Sequence, residues 1–235
     1  MNISREHLEL LSENFRNIDE TTKEIINLEA ILSLPKGTEH FLSDIHGEYE
    51  AFDHILRNGS GVIKEKLKEV FGNRLPKKEL NLLATIIYYP EEKLNLLKKE
   101  FSTAEYKEYQ KILLLRLLEV TQVAARKYTR SKVRKLLPKD FDYIIEELLY
   151  KMQTRDKEDY YEKILENIIE LGAGDKFIIE LSLSIHKLII DHLHIVGDVY
   201  DRGPLPDKIM DRLLNYHSLD IQWGNHDGKC YSYLC

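Results

Sequence analysis

The feature that most constrains the fold is a long stretch, residues 62–190, that contains almost no glycine. Only Gly72, Gly172 and Gly174 occur in it. Segments such as EYQKILLLRLLEVTQVAARKY carry apolar residues three and four positions apart, a spacing that places them on one face of an α-helix. Because the turn-forming glycines and the alternating runs typical of strands are missing, we expect this stretch to be entirely helical.

The segments on either side of this stretch have a different character. EHFLSD and HLHIVGD, the second at residues 192–198, are predicted strands, and LPDKIMDRLLNYH is a predicted helix that leads to a third strand, LDIQWGNHD. Strand, helix and strand at this spacing predict a parallel α/β unit. We expect N-terminal helices (1–37) packed on the core, an α/β core (38–62 and 191–227), a helical insertion (63–190) and an atypical tail (228–235).

Composition narrows the classes of protein that fit. The chain has 235 residues and a net charge of −6, which argues against a nucleic-acid binder held by phosphate contacts. No run reaches the roughly 18 apolar residues of a membrane-spanning helix. The two cysteines, Cys230 and Cys235, form no disulfide framework. We therefore expect a cytoplasmic protein that binds neither nucleic acid nor a membrane.

Polar clusters follow each of the three predicted strands. They consist of Asp44 and His46 after the first strand, of Asp198, Asp201 and Arg202 after the second, and of Asn225, His226 and Asp227 after the third. The carboxyl ends of parallel strands lie at one edge of a sheet, where α/β units bind ligands. Carboxylate and amide oxygens with a few imidazoles suit Mn²⁺, Mg²⁺, Fe²⁺ or Zn²⁺, and a central carboxylate can bridge two such ions. These clusters therefore predict a metal centre at the strand ends.

The motifs Asp-x-His, Gly-Asp-x-x-Asp-Arg-Gly and Gly-Asn-His-Asp, in this order, resemble the signature of the metallophosphoesterases, in the branch of the phosphoprotein phosphatases. The run FLSDIHGEYEAFDHILRNGSGVIKEKL and the long separation of the first two motifs are similar to class III fructose-1,6-bisphosphatases of bacteria. This resemblance implies an α/β fold, a partial metallophosphoesterase core with parallel strands, interrupted by a large all-helical insertion.

The resemblance also implies how the metal ligands are divided. Asp44 and His46 would hold a first ion, Asp198 would bridge both ions, and Asn225 would hold the second. Two divalent ions are expected, with Mn²⁺ the first choice and Mg²⁺, Fe²⁺ or Zn²⁺ as alternatives.

The remaining site residues are expected to bind and process the phosphate group. Arg202 would clamp the phosphate, because its planar fork fits phosphate oxygens. His226 would contact the phosphate and act near the leaving oxygen, oriented by Asp227. Asp201 is expected to support the site from its outer shell rather than to ligate a metal.

The implied activity is metal-dependent hydrolysis of fructose 1,6-bisphosphate to fructose 6-phosphate and phosphate, a gluconeogenic step. One alternative is a phosphoprotein or dinucleoside polyphosphate phosphatase, which the helical insertion disfavours. Another is a catalytically inactive fragment or interaction module. Family members continue well past Gly-Asn-His-Asp with further histidine ligands, whereas this chain ends with GKCYSYLC. The isolated chain is therefore expected to be catalytically incomplete.

Several features allow more than one interpretation. His192 and His194 alternate on a strand and share one face; structural hydrogen bonding is favoured over a metal role. The basic run 126–139 is interpreted as a solvated helix face or as a site for an anionic effector. The cysteine pair is disfavoured as a metal site. A homo-oligomer is compatible with the sequence.

Overall fold

The computed structural model describes residues 4–150 and 157–232, and these form one small sheet and a set of α-helices. The helices are α1 (Arg5–Asn14), α2 (Ile18–Leu32), α3 (Tyr49–Asn58), α4 (Val62–Phe71), α5 (Lys77–Tyr88), α6 (Pro90–Glu100), α7 (Thr103–Ala125), α8 (Arg130–Leu136), α9 (Asp142–Leu149), α10 (Glu158–Glu170), α11 (Gly174–Ile189), α12 (Pro206–Leu214) and α13 (Asn225–Ser232). The strands are β1 (Glu39–Leu42), β2 (His192–Val196) and β3 (Leu219–Gln222). Within the described ranges, no helix is both long enough and apolar enough to span a membrane.

The sheet is parallel, with the strand order β1-β2-β3, so β2 lies in the middle. One face of the sheet is covered by α3 and α12. The buried residues of this first core are Ile45, Phe52, Leu56, Leu193, Ile195, Val199, Ile209 and Leu213. On the opposite face the side chains of Phe41 and Val196 are 60% and 44% exposed. The predicted parallel α/β unit is confirmed, and the described parts of the chain leave the opposite face of its sheet open.

The helical stretch forms a second core that runs from Ile63 to Ile190. The long helix α7 begins with a capping box, in which Ser102 and Glu105 satisfy each other's backbone N–H groups. It packs along α11 at the centre of the block, where Leu117 is fully buried. The described part of residues 63–190 contains helices and no strand, which confirms the helical insertion. The exact domain limits stay predictions.

The N-terminal helices differ from expectation. Both helices are capped, since Ser4 accepts a hydrogen bond from the N–H of His7 and Asn17 accepts one from Glu20. Neither helix, however, has a buried residue. The prediction that they pack on the core is therefore wrong. Helical spacing specifies that one face is apolar, but it does not specify which surface covers that face.

The C-terminal tail begins inside α13, which extends from Asn225 to Ser232. The interpretation of the cysteine pair concerns side chains outside the described part of the chain.

Candidate metal centre

The loops that follow β1 and β2 are joined by backbone hydrogen bonds. The N–H of His46 donates to the carbonyl oxygen of Asp198 at 2.7 Å, and the N–H of Gly203 donates to that of His46 at 2.7 Å. The two loops approach so closely that a Cβ on Gly47 would lie 2.5 Å from the carbonyl oxygen of Gly203. Backbone contacts therefore fix the relative positions of the first two motifs.

The third motif is joined to the second through the carboxylate of Asp227. Its two oxygens accept hydrogen bonds from the backbone N–H groups of Asp198 (2.8 Å), Val199 (2.8 Å), Tyr200 (3.0 Å) and Gly224 (2.9 Å). Burial alone would raise the pKa of the Asp227 carboxyl, but these four hydrogen bonds hold that pKa below its usual range. Asp227 is therefore a charged anchor between the loops after β2 and β3.

Three of the predicted metal ligands lie together at the strand ends. Asp44, His46 and Asp198 each offer a ligand atom, and these atoms lie within 4.8 Å of one another. Two ligands with bonds of about 2.1 Å to one ion lie about 3.0–4.2 Å apart, and Oδ1 of Asp44 is 3.6 Å from Nε2 of His46. Two carboxylates and an imidazole suit the hard and borderline divalent ions. Asn225, the fourth predicted ligand, is the first residue of α13, directly after Gly224.

Asp201 lies between the two histidines of the site. One of its oxygens contacts Nδ1 of His46, and the other lies 3.2 Å from Nδ1 of His226 and 3.2 Å from Nε of Arg202. Burial would raise the pKa of the Asp201 carboxyl, but the hydrogen bond with His46 and the nearby positive charges lower it. A carboxylate on Nδ1 leaves Nε2 of His46 as the nitrogen available to a metal, and this geometry is compatible with the supporting role expected of Asp201.

The contact expected of Asp227 is made by Asp201 instead. The sequence interpretation had Asp227 orienting His226, but the Asp227 carboxylate is fully engaged by backbone N–H groups, and the ring of His226 faces Asp201. The prediction of that contact is wrong. Asp227 and His226 are neighbours in sequence, but this does not specify the directions of their side chains. The start of α13 turns the two side chains apart.

The residues predicted to bind phosphate lie at the outer side of this cluster. The side chain of Arg202 is 68% exposed, and the rings of His46 and His226 meet edge-on at 5.9 Å. A cavity of about 270 Å³ adjoins Asp44 and His46 and extends along α3. The site can therefore be reached from solvent at the side where the catalytic groups are predicted.

Known proteins similar to this chain belong to the family that its sequence motifs resemble. The family model described as Firmicute fructose-1,6-bisphosphatase matches residues 6–229. Curated relatives named fructose-1,6-bisphosphatase class 3 include those of Alkaliphilus metalliredigens (61% identity over 222 residues, 94% of this chain), Listeria monocytogenes serotype 4b (59% over 226 residues, 96%) and Staphylococcus aureus (55% over 227 residues, 96%). The chain spans about a third of the length of these relatives, namely 33%, 34% and 35%. No solved structure gave a significant match.

Proposed function

Because this chain belongs to the Firmicute fructose-1,6-bisphosphatase family, we propose that it carries the metal-binding loops of a divalent-metal-dependent phosphatase. The proposed reaction is hydrolysis of fructose 1,6-bisphosphate to fructose 6-phosphate and phosphate. The observation that carries the proposal is the convergence of Asp44, His46 and Asp198 at the carboxyl ends of β1 and β2.

In this proposal the site holds two divalent ions. Asp44 and His46 would hold the first ion, Asp198 would serve both ions, and Asn225 would hold the second. Mn²⁺ is the first candidate, and Mg²⁺, Fe²⁺ and Zn²⁺ suit the same ligands. When bound, the ions supply positive charge that stabilises the phosphoryl group as negative charge develops on it.

The side chains around these ligands bind the phosphate and move a proton. Arg202 directs its guanidinium toward the phosphate oxygens, while Asp201 holds the Nε side of that group at 3.2 Å. Asp201 also lies 3.2 Å from Nδ1 of His226, so the Nδ1–H faces this carboxylate, and in the imidazolium form a second proton on Nε2 is available to the substrate. His226 then donates this proton to the fructose oxygen as water attacks phosphorus and the P–O bond to that oxygen breaks.

A chimaera tests the proposal independently of whether the isolated chain is complete. This chain replaces the matching third of the Listeria monocytogenes relative, and phosphate release from fructose 1,6-bisphosphate is measured with Mn²⁺. We expect turnover, and we expect at least a ~10³-fold loss on Asp198→Asn. The matched control Asp211→Asn changes an exposed aspartate of α12 and should leave turnover unchanged.

The same assay separates the alternative functions. If a folded chimaera prefers phosphopeptides or dinucleoside polyphosphates, those compounds become the proposed substrates in place of the sugar bisphosphate. A folded chimaera with no turnover on any of them would leave the interaction module as the better interpretation.

The isolated 235-residue chain should be a poor catalyst. A two-metal site needs about four to six ligands per ion, whereas Asp44, His46 and the shared Asp198 serve the first ion, and Asp198 and Asn225 serve the second. We expect the isolated chain to be at least ~10³-fold slower than the chimaera in excess Mn²⁺, a difference of about 4 kcal/mol in transition-state stabilisation. Turnover within tenfold of the chimaera would contradict this ligand count.

A further inference from the structure

A second group of metal-ligand side chains lies on the open face of the sheet. His192 and His194 point to this face from β2, and Asp220 lies directly opposite His194 on β3. The Nε2 atom of His192 is 2.9 Å from Oδ2 of Asp220, and the Nδ1 atom of His194 is 3.5 Å from the same oxygen. Ligands around a tetrahedral ion with bonds of about 2.1 Å lie about 3.4 Å apart. The distance of 3.5 Å matches that separation, and the distance of 2.9 Å is about 0.5 Å shorter.

One imidazole of this group is hydrogen-bonded through its other nitrogen, and the other has a carboxylate nearby. Nδ1 of His192 lies 2.6 Å from the hydroxyl of Ser218. Nε2 of His194 lies 3.7 Å from a carboxylate oxygen of Glu39. Metal-binding histidines usually have such a partner, because it fixes the tautomer and aims the remaining nitrogen at the ion. Ser218 therefore leaves Nε2 of His192 facing Asp220, whereas Nε2 of His194 has no hydrogen-bond partner among the described residues.

The hydrogen bonds of the described residues leave one nitrogen of each imidazole without a partner. Nε2 of His192 is buried without a hydrogen-bond partner, although the carboxylate oxygen of Asp220 is only 2.9 Å away. The pair is close, but it is not aligned as a donor and an acceptor. When Nδ1–H donates to Ser218, a lone pair on Nε2 faces the lone pairs of Asp220, and this contact is repulsive unless the two atoms share a proton or bind the same cation.

Ring contacts hold one imidazole of the group in place. The ring of Phe41 stacks on the ring of His194 with centroids 4.3 Å apart and an interplanar angle of 11°, and the rings of His192 and His194 are 4.4 Å apart. This stacking fixes the imidazole of His194 in its orientation, which reduces the entropy lost when an ion binds.

We propose that His192, His194 and Asp220 bind one divalent transition-metal ion, with Zn²⁺ preferred, in addition to the metal centre at the strand ends. Two imidazoles and one carboxylate are typical zinc ligands and leave a fourth position for water or another ligand. The proposal concerns the face of the sheet and does not depend on the phosphatase activity.

Zinc content of the whole chain provides the test. Protein is dialysed against buffered free Zn²⁺ at pH 7.5, and bound zinc is measured by mass spectrometry together with the imidazole resonances of His192 and His194. We expect Asp220→Asn and His192→Gln to weaken zinc uptake at this group at least ~10-fold. We expect Asp198→Asn to leave both the zinc uptake of this group and the shifts of its imidazoles unchanged. The matched control is Asp211→Asn. All variants keep both cysteines, so any zinc that the cysteines bind is the same in each measurement.

Folding does not confuse the outcome, because the side chain of Asp220 is 70% exposed and its replacement should leave the circular dichroism spectrum unchanged. Zinc uptake equal to that of the wild type in both Asp220→Asn and His192→Gln would overturn the proposal. So would an absence of zinc-dependent shifts in both imidazoles, which would leave a simple ion pair with Asp220.

Discussion

Replacing Asp227 with asparagine removes the charge that joins the loops after β2 and β3. In the wild type, Oδ2 accepts the N–H groups of Asp198 and Gly224, and Oδ1 accepts those of Val199 and Tyr200. An asparagine keeps one oxygen and can serve only one of these two pairs. Its amide NH₂ group then faces the other pair of backbone N–H groups, which are left without an acceptor.

The expected loss follows from these bonds. A hydrogen bond to a charged group contributes about 1.5–3 kcal/mol, so the loss of two amounts to about 3–6 kcal/mol. The side chain is 4% exposed, which limits compensation by water, whereas Tyr200 lies at the surface and its N–H can be partly rehydrated. We therefore expect Asp227→Asn to lower the free energy of unfolding by about 3 kcal/mol, the lower end of that range.

The assay is urea denaturation followed by tryptophan fluorescence. Trp223 is the only tryptophan of the chain and directly precedes Gly224, so its signal reports on this region. Asp211→Asn is the control, since an exposed surface substitution usually changes stability by less than about 0.5 kcal/mol. A loss below about 1 kcal/mol for Asp227→Asn would refute the argument that the four backbone bonds depend on the charge.

The pH dependence gives an independent check on Asp227. Its pKa is lower in the folded chain than in the unfolded chain, so its contribution is fully present above the unfolded value, about 3.9, and is lost as the pH falls through the folded pKa. The wild type should therefore lose stability below about pH 4 more steeply than Asp227→Asn. Equal slopes in acid would show that the charge has no such role.

Two further substitutions test the close loop packing and the helical core. A Cβ on Gly224 would lie 2.2 Å from Oδ1 of Asp198, whereas a Cβ on Gly228 would meet no atom within 4 Å. We therefore expect Gly224→Ala to weaken Mn²⁺ binding, measured by calorimetry, at least ~10-fold. The control Gly228→Ala should leave Mn²⁺ binding unchanged. Phe177 is fully buried, so Phe177→Ala should lower the free energy of unfolding by about 3–5 kcal/mol, measured by denaturation followed by circular dichroism. The exposed Tyr143 is the control, and Tyr143→Ala should change stability little. Equal stabilities of the two variants would contradict the assigned core.

Local patterns in the sequence predicted the elements and the edge at which the site lies. Apolar runs ending in Asp44 or Asp198 specify strands with polar ends, and parallel pairing then brings those ends together. The glycine-poor stretch similarly specifies helices. These inferences succeed because each depends on spacing along a few residues, which a single sequence displays directly.

The partners of individual side chains required the folded backbone. Asp227 accepts four N–H groups only because the loops after β2 and β3 turn toward each other, and no spacing rule reports that turn. The position of Asp201 between two histidines has the same origin. Asp220 was missed as a partner of His192 and His194, although a polar residue at the matching position of the next strand is a signal that sequence alone could have supplied.

The backbone conformation of the site explains why these residue types occur there. Asp44, His46, Asp198 and Arg202 all adopt positive φ angles, 55°, 49°, 59° and 67°, in the left-handed region that costs most side chains about 1–3 kcal/mol. Aspartate and histidine tolerate this region better than most residues, and they are also metal ligands. The bonds between the loops, such as that from the N–H of His46 to the carbonyl oxygen of Asp198, offset the remaining strain. A glutamate at position 198 would keep the carboxylate, but it would be less tolerant of the turn and would place its oxygens farther out. The sharp loop and the ligand chemistry therefore select the same residue types, which ties the fold of these loops to their proposed function.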